Sequence, residues 1–201
     1  MSWNFSQELI LENDYVLLRS LQESDIDNLL EFAINEPTTW EYSLIRADSK
    51  ENMIKYIQLA VEGRENKNQF PFIIFDKHSG RYVGSTRFYD INLEFKTLLL
   101  GYTWYGEQFR GTGLNKQCKF LLLQFAFETL GMERVEFRAD NNNKRSIAAM
   151  KSIGCKEEGI LRNHMPVNAG SDLRRDSIVL SILPKEWFDE VKPNLLKRIE
   201  N

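Results

Sequence analysis

Gln108-Phe109-Arg110-Gly111-Thr112-Gly113-Leu114-Asn115 joins a strand-like segment, residues 97–104, to a strongly apolar helical segment, residues 114–130. The glycines let an anion approach the backbone, and the free N–H groups of the first helical turn point outward at the positive end of the helix dipole. A glycine turn between a strand and a helix therefore predicts a site for a phosphorylated ligand. A solvent-exposed turn with two glycines would give the same pattern without any ligand.

Two common phosphate loops do not fit this stretch. A Walker loop has four residues between its first glycine and a Gly-Lys-Ser/Thr. Gly106 and Gly111 have that spacing, but Thr112 stands where the lysine is needed. A dinucleotide-binding loop has a third glycine three residues after the second, and that position is Lys116. The pattern that remains is Gln-x-x-Gly-x-Gly over residues 108–113.

The composition is that of an ordinary globular protein. The chain has 201 residues, 42% hydrophobic and 27% charged, which predicts one domain over residues 1–201. No apolar run approaches the ~18 residues of a transmembrane helix, and residues 1–13 lack the features of a signal peptide. The net charge of −3, without a basic block, argues against a nucleic-acid partner.

The two cysteines, Cys118 and Cys155, lie far apart and without the spacing of a metal site. Reduced thiols in a cytoplasmic protein explain them most simply. We therefore expect a cytoplasmic location, no metal and no membrane partner.

Hydrophobic periodicity predicts eleven elements in the order β-α-α-β-β-β-α-β-α-β-β, followed by a helical tail from Pro184. The strands are predicted at residues 15–21, 70–75, 82–89, 97–104, 134–139, 156–163 and 176–183. The helices are predicted to begin at Ser24, at Asp48 or Ser49, at Leu114 and at Asn143. Gly84, inside the third strand, indicates a bulge.

The glycine stretch and this order together resemble the GNAT superfamily of acetyl-CoA-dependent N-acetyltransferases, which keeps its pyrophosphate loop between the fourth strand and the third helix. The chain is most similar to the RimJ/RimL type, which includes enzymes that acetylate protein N-terminal α-amines. Residues 100–104, Asp140-x-x-Asn143-x-x-Ser146 and residues 154–162 carry this resemblance. It implies a mixed α/β (α+β) fold: a central, mostly antiparallel sheet flanked by helices, with a splay between the fourth and fifth strands.

The resemblance also implies a site for acetyl-CoA. Backbone N–H groups of residues 110–114 would hold the pyrophosphate, and the side chains of Asn115 and Lys116 could touch phosphate or ribose. The end of the fourth strand would run beside the pantetheine arm, with Asn143 on the other side. The residues expected at the cofactor are Tyr102, Thr103, Trp104, Arg110, Gly111, Thr112, Gly113, Leu114, Asn115, Lys116 and Asn143.

For catalysis, the resemblance places Ser146 where a general acid for the departing thiolate is expected. Residues 144–155 contain no tyrosine, so the superfamily's more familiar acid cannot be assigned. His164 has a pKa suited to a general base. Glu94, Glu107, Glu158 or a water chain could also serve. Each residue has a structural alternative: Asn143 and Ser146 could only cap a helix, and His164 could only end a strand.

The acceptor site is expected around Trp40, Tyr42 and Arg87, close to Trp104 and His164; Trp40 and Tyr42 could equally be core anchors. A protein or peptide N-terminus is the first acceptor class, and a small amine such as a polyamine, an amino acid or an amine drug is the second. A CoA-binding regulatory protein without turnover is the third possibility. An extended groove would favour a peptide, and a closed acidic pocket a small cation. A monomer and a homodimer both remain open.

Overall fold

One mixed sheet forms the centre of residues 3–199, the part of the chain that the computed structural model describes. Its strands are β1 (Ile10–Glu12), β2 (Val16–Ser20), β3 (Gln69–Asp76), β4 (Arg81–Asn92), β5 (Thr97–Tyr105), β6 (Arg134–Asp140), β7 (Lys156–Pro166) and β8 (Arg174–Ile182). They lie in the order β1-β2-β3-β4-β5-β6-β8-β7. Neighbouring strands are antiparallel except for β5 and β6, which are parallel. The predicted fold class is confirmed.

Helices cover both faces of the sheet. They are α1 (Ile26–Asn35), α2 (Lys50–Glu65), α3 (Leu114–Gln124), α4 (Lys144–Ser152), α5 (Pro184–Glu186) and α6 (Lys192–Ile199). Ile73 of β3 packs in one core with α1 and α2, while its neighbours Phe72 and Ile74 pack in a second core with α3, α4 and α6. Successive residues of a strand point to opposite faces, so the sheet separates the two cores. No helix within residues 3–199 is both long and apolar enough to cross a bilayer.

Two helices begin at the predicted caps, whereas Ser24 does not cap α1: it lies inside a short 3-10 turn, Glu23–Asp25, that precedes the helix. Ser49 begins α2, and its side chain accepts a hydrogen bond from the backbone N–H of Asn52 at 3.1 Å. Asn143 begins α4 in the same manner. The predicted helix over residues 114–130 forms as α3 followed by a π-helical turn, Phe125–Thr129, and ends before Gly131 in the left-handed conformation.

The sheet splays between β5 and β6, the fourth and fifth predicted strands. The two strands pair only at Thr97, Leu98 and Leu99. Across β5, the ladder with β4 is interrupted between Ser85 and Arg87, opposite Tyr102, whose φ is +49°. A non-glycine residue in the left-handed region at an interrupted ladder is a β-bulge. The bulge and the splay therefore meet at the same part of β5.

One strand was not predicted, and one predicted bulge has a further role. The sequence pattern did not indicate β1, a short and largely exposed edge strand. The ladder between β3 and β4 does shift near Gly84, as predicted, but this glycine has a further role. A Cβ atom on Gly84 would lie 2.2 Å from the carbonyl oxygen of Trp104, so only glycine lets β5 approach here.

Candidate active site

A cavity of about 450 Å³ opens where β5 and β6 diverge. Phe137 and Ala139 line it from the face that packs against α3 and α4. Arg138 and Asp140 alternate with them along β6, and they line the cavity from the opposite face. The cavity therefore passes through the sheet, with one mouth on each side.

The glycine loop forms the mouth on the α3 side. Gly111 and Gly113 have φ values of +77° and +92°, and a Cβ atom on either would meet nothing within 4 Å. Glycine is thus required for the backbone conformation, and open space lies in front of it. Within residues 3–199, the N–H groups of Gly111, Thr112 and Gly113 donate to no protein acceptor. This geometry fits the pyrophosphate that the family resemblance implies.

Three cations stand at this mouth: Arg110, Lys116 and Arg145 line the same cavity as the loop. Arg110 is fixed in place, since its Nε donates to the carbonyl of Tyr105 at 3.0 Å and its Nη2 donates to Thr39 Oγ1 at 2.5 Å. Burial, and next the charge of Arg145, lower the pKa of Arg110. A bound anion would relieve this mutual repulsion.

The cavity wall at α4 has both predicted residues. Asn143 Oδ1 accepts a 3.0 Å hydrogen bond from the backbone N–H of Ser146, so the capping role exists. Both side chains also line the cavity. The hydroxyl of Ser146 has no hydrogen-bond partner in the described part of the chain, which leaves it available to a ligand.

Lys119 is a functional candidate that the sequence analysis missed. It lies on α3, is 4% exposed and lines the cavity. Its Nζ donates to Thr103 Oγ1 at 2.7 Å and lies 3.4 Å from Thr86 Oγ1. None of the described carboxylates pairs with it, and burial lowers the pKa of Lys119 to about 8. The signal was a lysine between Cys118 and the apolar run of residues 120–123, where the helix is buried.

Tyrosines and arginines line the mouth on the side of α1 and α2. The residues at this mouth are Tyr42, Tyr56, Tyr89, Tyr102, Arg138 and Arg175. The hydroxyl of Tyr56 donates to the carbonyl of Tyr102 at 3.3 Å. Because this carbonyl belongs to the bulge of β5, the interaction ties α2 to the bulge.

Trp40 and Arg87 do not line the cavity, although both were predicted at the acceptor site. Trp40 is fully buried with its ring centroid 4.8 Å from that of Trp104, so it supports the wall from behind. Arg87 is also fully buried, and its guanidinium lies 4.2 Å from the ring of Tyr102 and 4.7 Å from that of Tyr56. Tyr42, by contrast, lines the cavity.

His164 lies outside the cavity lining as well. It is on β7, and β8 lies between β7 and the splayed strands. Burial, followed by the charges of Arg138 and Arg175, lowers the pKa of His164, so its imidazole is neutral at pH 7. Its Nδ1 is buried without a partner in the described chain.

The other predicted bases also lie elsewhere. Glu158 binds Arg134 through both oxygens and accepts from Ser181, which lowers the pKa of Glu158 to about 2. Glu107 pairs with Arg110 at 3.5 Å on the exposed side of the loop, and Glu94 is exposed in the turn before β5. No group of three or more His, Cys, Asp or Glu residues in the described chain could hold a metal ion.

Comparison with known proteins gives a consistent answer. The family model described as "Acetyltransferase (GNAT) domain" matches residues 16–156. YdaF of Bacillus subtilis (strain 168), named as a candidate ribosomal N-acetyltransferase, is 24% identical over 180 residues, covering 89% of this chain and 96% of that protein.

Solved structures agree with the sequence relatives. The crystal structure of a candidate acetyltransferase from T. thermophilus has a TM-score of 0.85 and 28% identity, and the match covers 98% of this chain and 100% of that one. RimJ of Mycobacterium smegmatis, in complex with CoA-disulfide, shares the fold with a TM-score of 0.77 at 16% identity, over 96% of this chain and 94% of that one. The predicted resemblance is confirmed: the chain belongs to the GNAT family of acetyltransferases.

Proposed function

We propose that the protein transfers the acetyl group of acetyl-CoA to a primary amine, with a protein or peptide N-terminal α-amine as the acceptor. The observation that supports this proposal is the cavity through the sheet. It connects the free N–H groups of the glycine loop on one face to the tyrosine-lined mouth on the other. Two reactants can enter from opposite faces and meet beside the bulge at Tyr102.

The residues at the α3 mouth fit the cofactor. The free N–H groups at 111–113 would hold the pyrophosphate, with Arg110, Lys116 and Arg145 supplying positive charge. Past Leu99, the edge of β5 has no pairing with β6, so its backbone groups can bind the pantetheine arm. Asn143 faces this edge from α4. The thioester, once bound, supplies an activated carbonyl carbon.

The reaction needs two proton transfers. The amine nitrogen forms a bond with the carbonyl carbon, the carbon–sulfur bond breaks, the nitrogen loses a proton and the sulfur gains one. Ser146, whose hydroxyl is free, is the predicted proton donor to sulfur. Lys119 is a second donor in the same cavity, because with a pKa of about 8 it is protonated at pH 7 and can also neutralise a thiolate. A backbone N–H at the bulge would stabilise the oxyanion.

For the proton that leaves the amine, we propose water in the cavity as the first acceptor. His164 does not line the cavity, so it would act through such water and not by direct contact. Its neutral imidazole is able to accept a proton at pH 7. Glu158 is a poor alternative, because a carboxylate with a pKa of about 2 holds a proton weakly.

The N-terminal acceptor is favoured by the names of the relatives, one a candidate ribosomal N-acetyltransferase and one RimJ. A panel of N-terminal peptides and small amines with acetyl-CoA tests the proposal, with free thiol and acetylated product both measured. Transfer to peptides supports it. Transfer to small amines alone would favour the second acceptor class. CoA binding without transfer to any amine would favour a regulatory protein.

A further inference from the structure

The cavity lining contains more cations than carboxylates, although the chain as a whole has a net charge of −3. In the described part of the chain its lining contains one carboxylate, Asp140. Its positively charged lining residues are Arg110, Lys116, Lys119, Arg138, Arg145 and Arg175. Three of these cations stand near the glycine loop and suit phosphate groups. On the other face, Arg138 is paired with Glu136 at 2.5 Å, and the phosphates do not account for Arg175.

Arg175 is the central cation of that other face. It is 8% exposed, and its Nη1 donates to the carbonyl of Tyr42 at 3.3 Å. Its Nε is buried without a partner, and no carboxylate in residues 3–199 lies within ion-pair distance of it. Asp140 acts on Arg175 only through its more distant charge. One Asp140 oxygen instead accepts a hydrogen bond from the N–H of Asn142 at 2.8 Å.

Arg87 gives a second, independent observation at the same mouth. It is fully buried, and only its Nη1 has a polar partner, the Oε1 atom of Gln69 at 2.9 Å. Its Nε and Nη2 are buried without partners in the described chain. The rings of Tyr56 and Tyr102 enclose the guanidinium and compensate part of its charge by cation–π contact. Both rings also line the cavity, so a positive charge lies directly behind its wall.

Burying a guanidinium without a carboxylate costs free energy, because water is removed and no opposite charge replaces it. Two such guanidinium groups at the same mouth indicate that the negative charge comes from a ligand. Arginine suits a carboxylate in particular, since its planar donors match two oxygens. A cation such as a polyamine would instead be repelled from this mouth.

We propose that the acceptor amine carries a carboxylate, which Arg175 binds at the tyrosine-lined mouth, with Arg87 adding positive potential from behind. This inference rests on the proposed acetyl transfer and names its substrate class. Two sources have this chemistry: a free amino acid, and a peptide with an acidic residue close to its N-terminus. In both, the carboxylate would fix the amine beside the bulge of β5.

Acceptors that differ only in the carboxylate provide the test. One arm compares free amino acids with their carboxamides, and a second compares N-terminal peptides with Asp or Asn at the second position. Spermidine is the cationic comparison. We expect kcat/KM to be roughly 10- to 100-fold higher for the carboxylate member of at least one pair, as for a hydrogen bond to a charged group. The arm that shows the preference identifies the source.

Variants then assign the preference to Arg175. Arg175→Met should reduce the carboxylate preference to about threefold or less, since the remaining cations act only at a distance. Arg162→Met removes the same charge from the exposed edge strand β7 and should keep the full preference. If Arg175→Met does not fold, Arg175→Gln serves in its place. The comparison of the acceptor pairs with the wild-type enzyme does not depend on either variant.

Each other outcome contradicts a distinct statement. Equal rates within both pairs, or faster transfer to spermidine, would overturn the anionic acceptor while leaving acetyl transfer intact. A full preference retained in Arg175→Met or Arg175→Gln would overturn the role of Arg175. Absence of transfer to every amine would contradict the proposed function itself, and this inference with it.

Discussion

The ammonium of Lys119 donates a 2.7 Å hydrogen bond to the hydroxyl of Thr103, on the α3 side of the bulge in β5. Among residues 3–199, only the hydroxyl groups of Thr103 and Thr86 bind this ammonium, and Lys119 is 4% exposed. A hydroxyl satisfies one donor of an ammonium but does not neutralise it, so the charged form is disfavoured by burial. The fold therefore retains a costly cation next to the proposed reaction centre.

Removing that cation should stabilise the protein, and the effect should depend on pH. The pKa of Lys119 falls from 10.5 to about 8 on folding. Below pH 8 the folded and the unfolded protein both carry the proton on Lys119, so the full cost of burying the charge, about 3 kcal/mol, opposes folding. This cost disappears as the pH rises from 8 to 10.5, because the folded protein then loses the proton. We expect Lys119→Met to gain about 1–2 kcal/mol at pH 7, after the lost hydrogen bonds, and less at pH 9.5. Urea unfolding at both pH values measures this.

The matched control is Lys55→Met, at an exposed position of α2, with a change of about 0.5 kcal/mol or less at either pH. A Lys119→Met variant that is less stable than wild type at pH 7 would show that the hydrogen bonds outweigh the burial cost.

Ser146→Ala tests the proposed proton donor. We expect kcat to fall about 100-fold while the Kd for CoA changes little, because general-acid catalysis acts in the transition state. Stability should not change, since the bond to Asn143 uses the backbone N–H of Ser146 and not its hydroxyl. An unchanged kcat would reduce Ser146 to a structural residue. If Lys119→Met then lowered kcat, the proton donor would be the lysine.

Asn143→Ala should affect both stability and cofactor binding. Loss of the cap on α4 should lower the free energy of unfolding by about 1 kcal/mol. Ser49→Ala removes the corresponding cap of α2, where Ser49 accepts from the N–H of Asn52, and should cost a similar amount. Only Asn143→Ala should also weaken CoA binding, measured by calorimetry. Equal CoA affinity in the two variants would leave Asn143 with the capping role alone.

The sequence predicted the features that local signals encode. The glycine loop, the cap residue Asn143 and the stop at Gly131 depend on backbone conformations that few residue types allow. Side-chain neighbours across the sheet are not encoded locally. His164 was predicted close to the acceptor, but β8 lies between its strand, β7, and the splayed strands. Trp40 was weighed equally as core and as pocket, and the structure places it in the core.

Lys119 and Arg175 were missed for a related reason. Lysine and arginine side chains usually face solvent, so the sequence alone does not mark these two as buried. Their importance depends on the lack of an ion-pair partner among residues 3–199, which only the three-dimensional arrangement reveals.

Glu158→Gln should preserve acetyl transfer, because Glu158 binds Arg134 and lies outside the cavity lining. It should remove a modest contribution to stability, below about 1 kcal/mol, since the side chain is 41% exposed. The pKa of Glu158 falls from 4.5 to about 2, first through Arg134, so this contribution is complete above pH 4.5 and lost as pH falls towards 2.

The Tm difference between wild type and Glu158→Gln should thus be larger at pH 7 than at pH 3. The control for loss of an exposed ion pair is Glu157→Gln, at the preceding position, where Glu157 pairs with Lys151 at the surface. A large loss of kcat in Glu158→Gln would return Glu158 to the candidate bases.

Gly111→Glu tests the cofactor loop directly. The new carboxylate would occupy the open space in front of the free N–H groups and repel phosphate, so we expect CoA binding to be abolished. Gly80→Glu is a close control: Gly80 has φ +68° against +77° for Gly111, and a Cβ atom on it also meets nothing within 4 Å. Both substitutions force a side chain into the left-handed region, which costs about 1–2 kcal/mol, so the two variants should have similar free energies of unfolding. Calorimetric titration with CoA then distinguishes the two variants, because Gly80→Glu should bind CoA with wild-type affinity. A folded Gly111→Glu protein with wild-type affinity for CoA would show that the phosphates bind elsewhere.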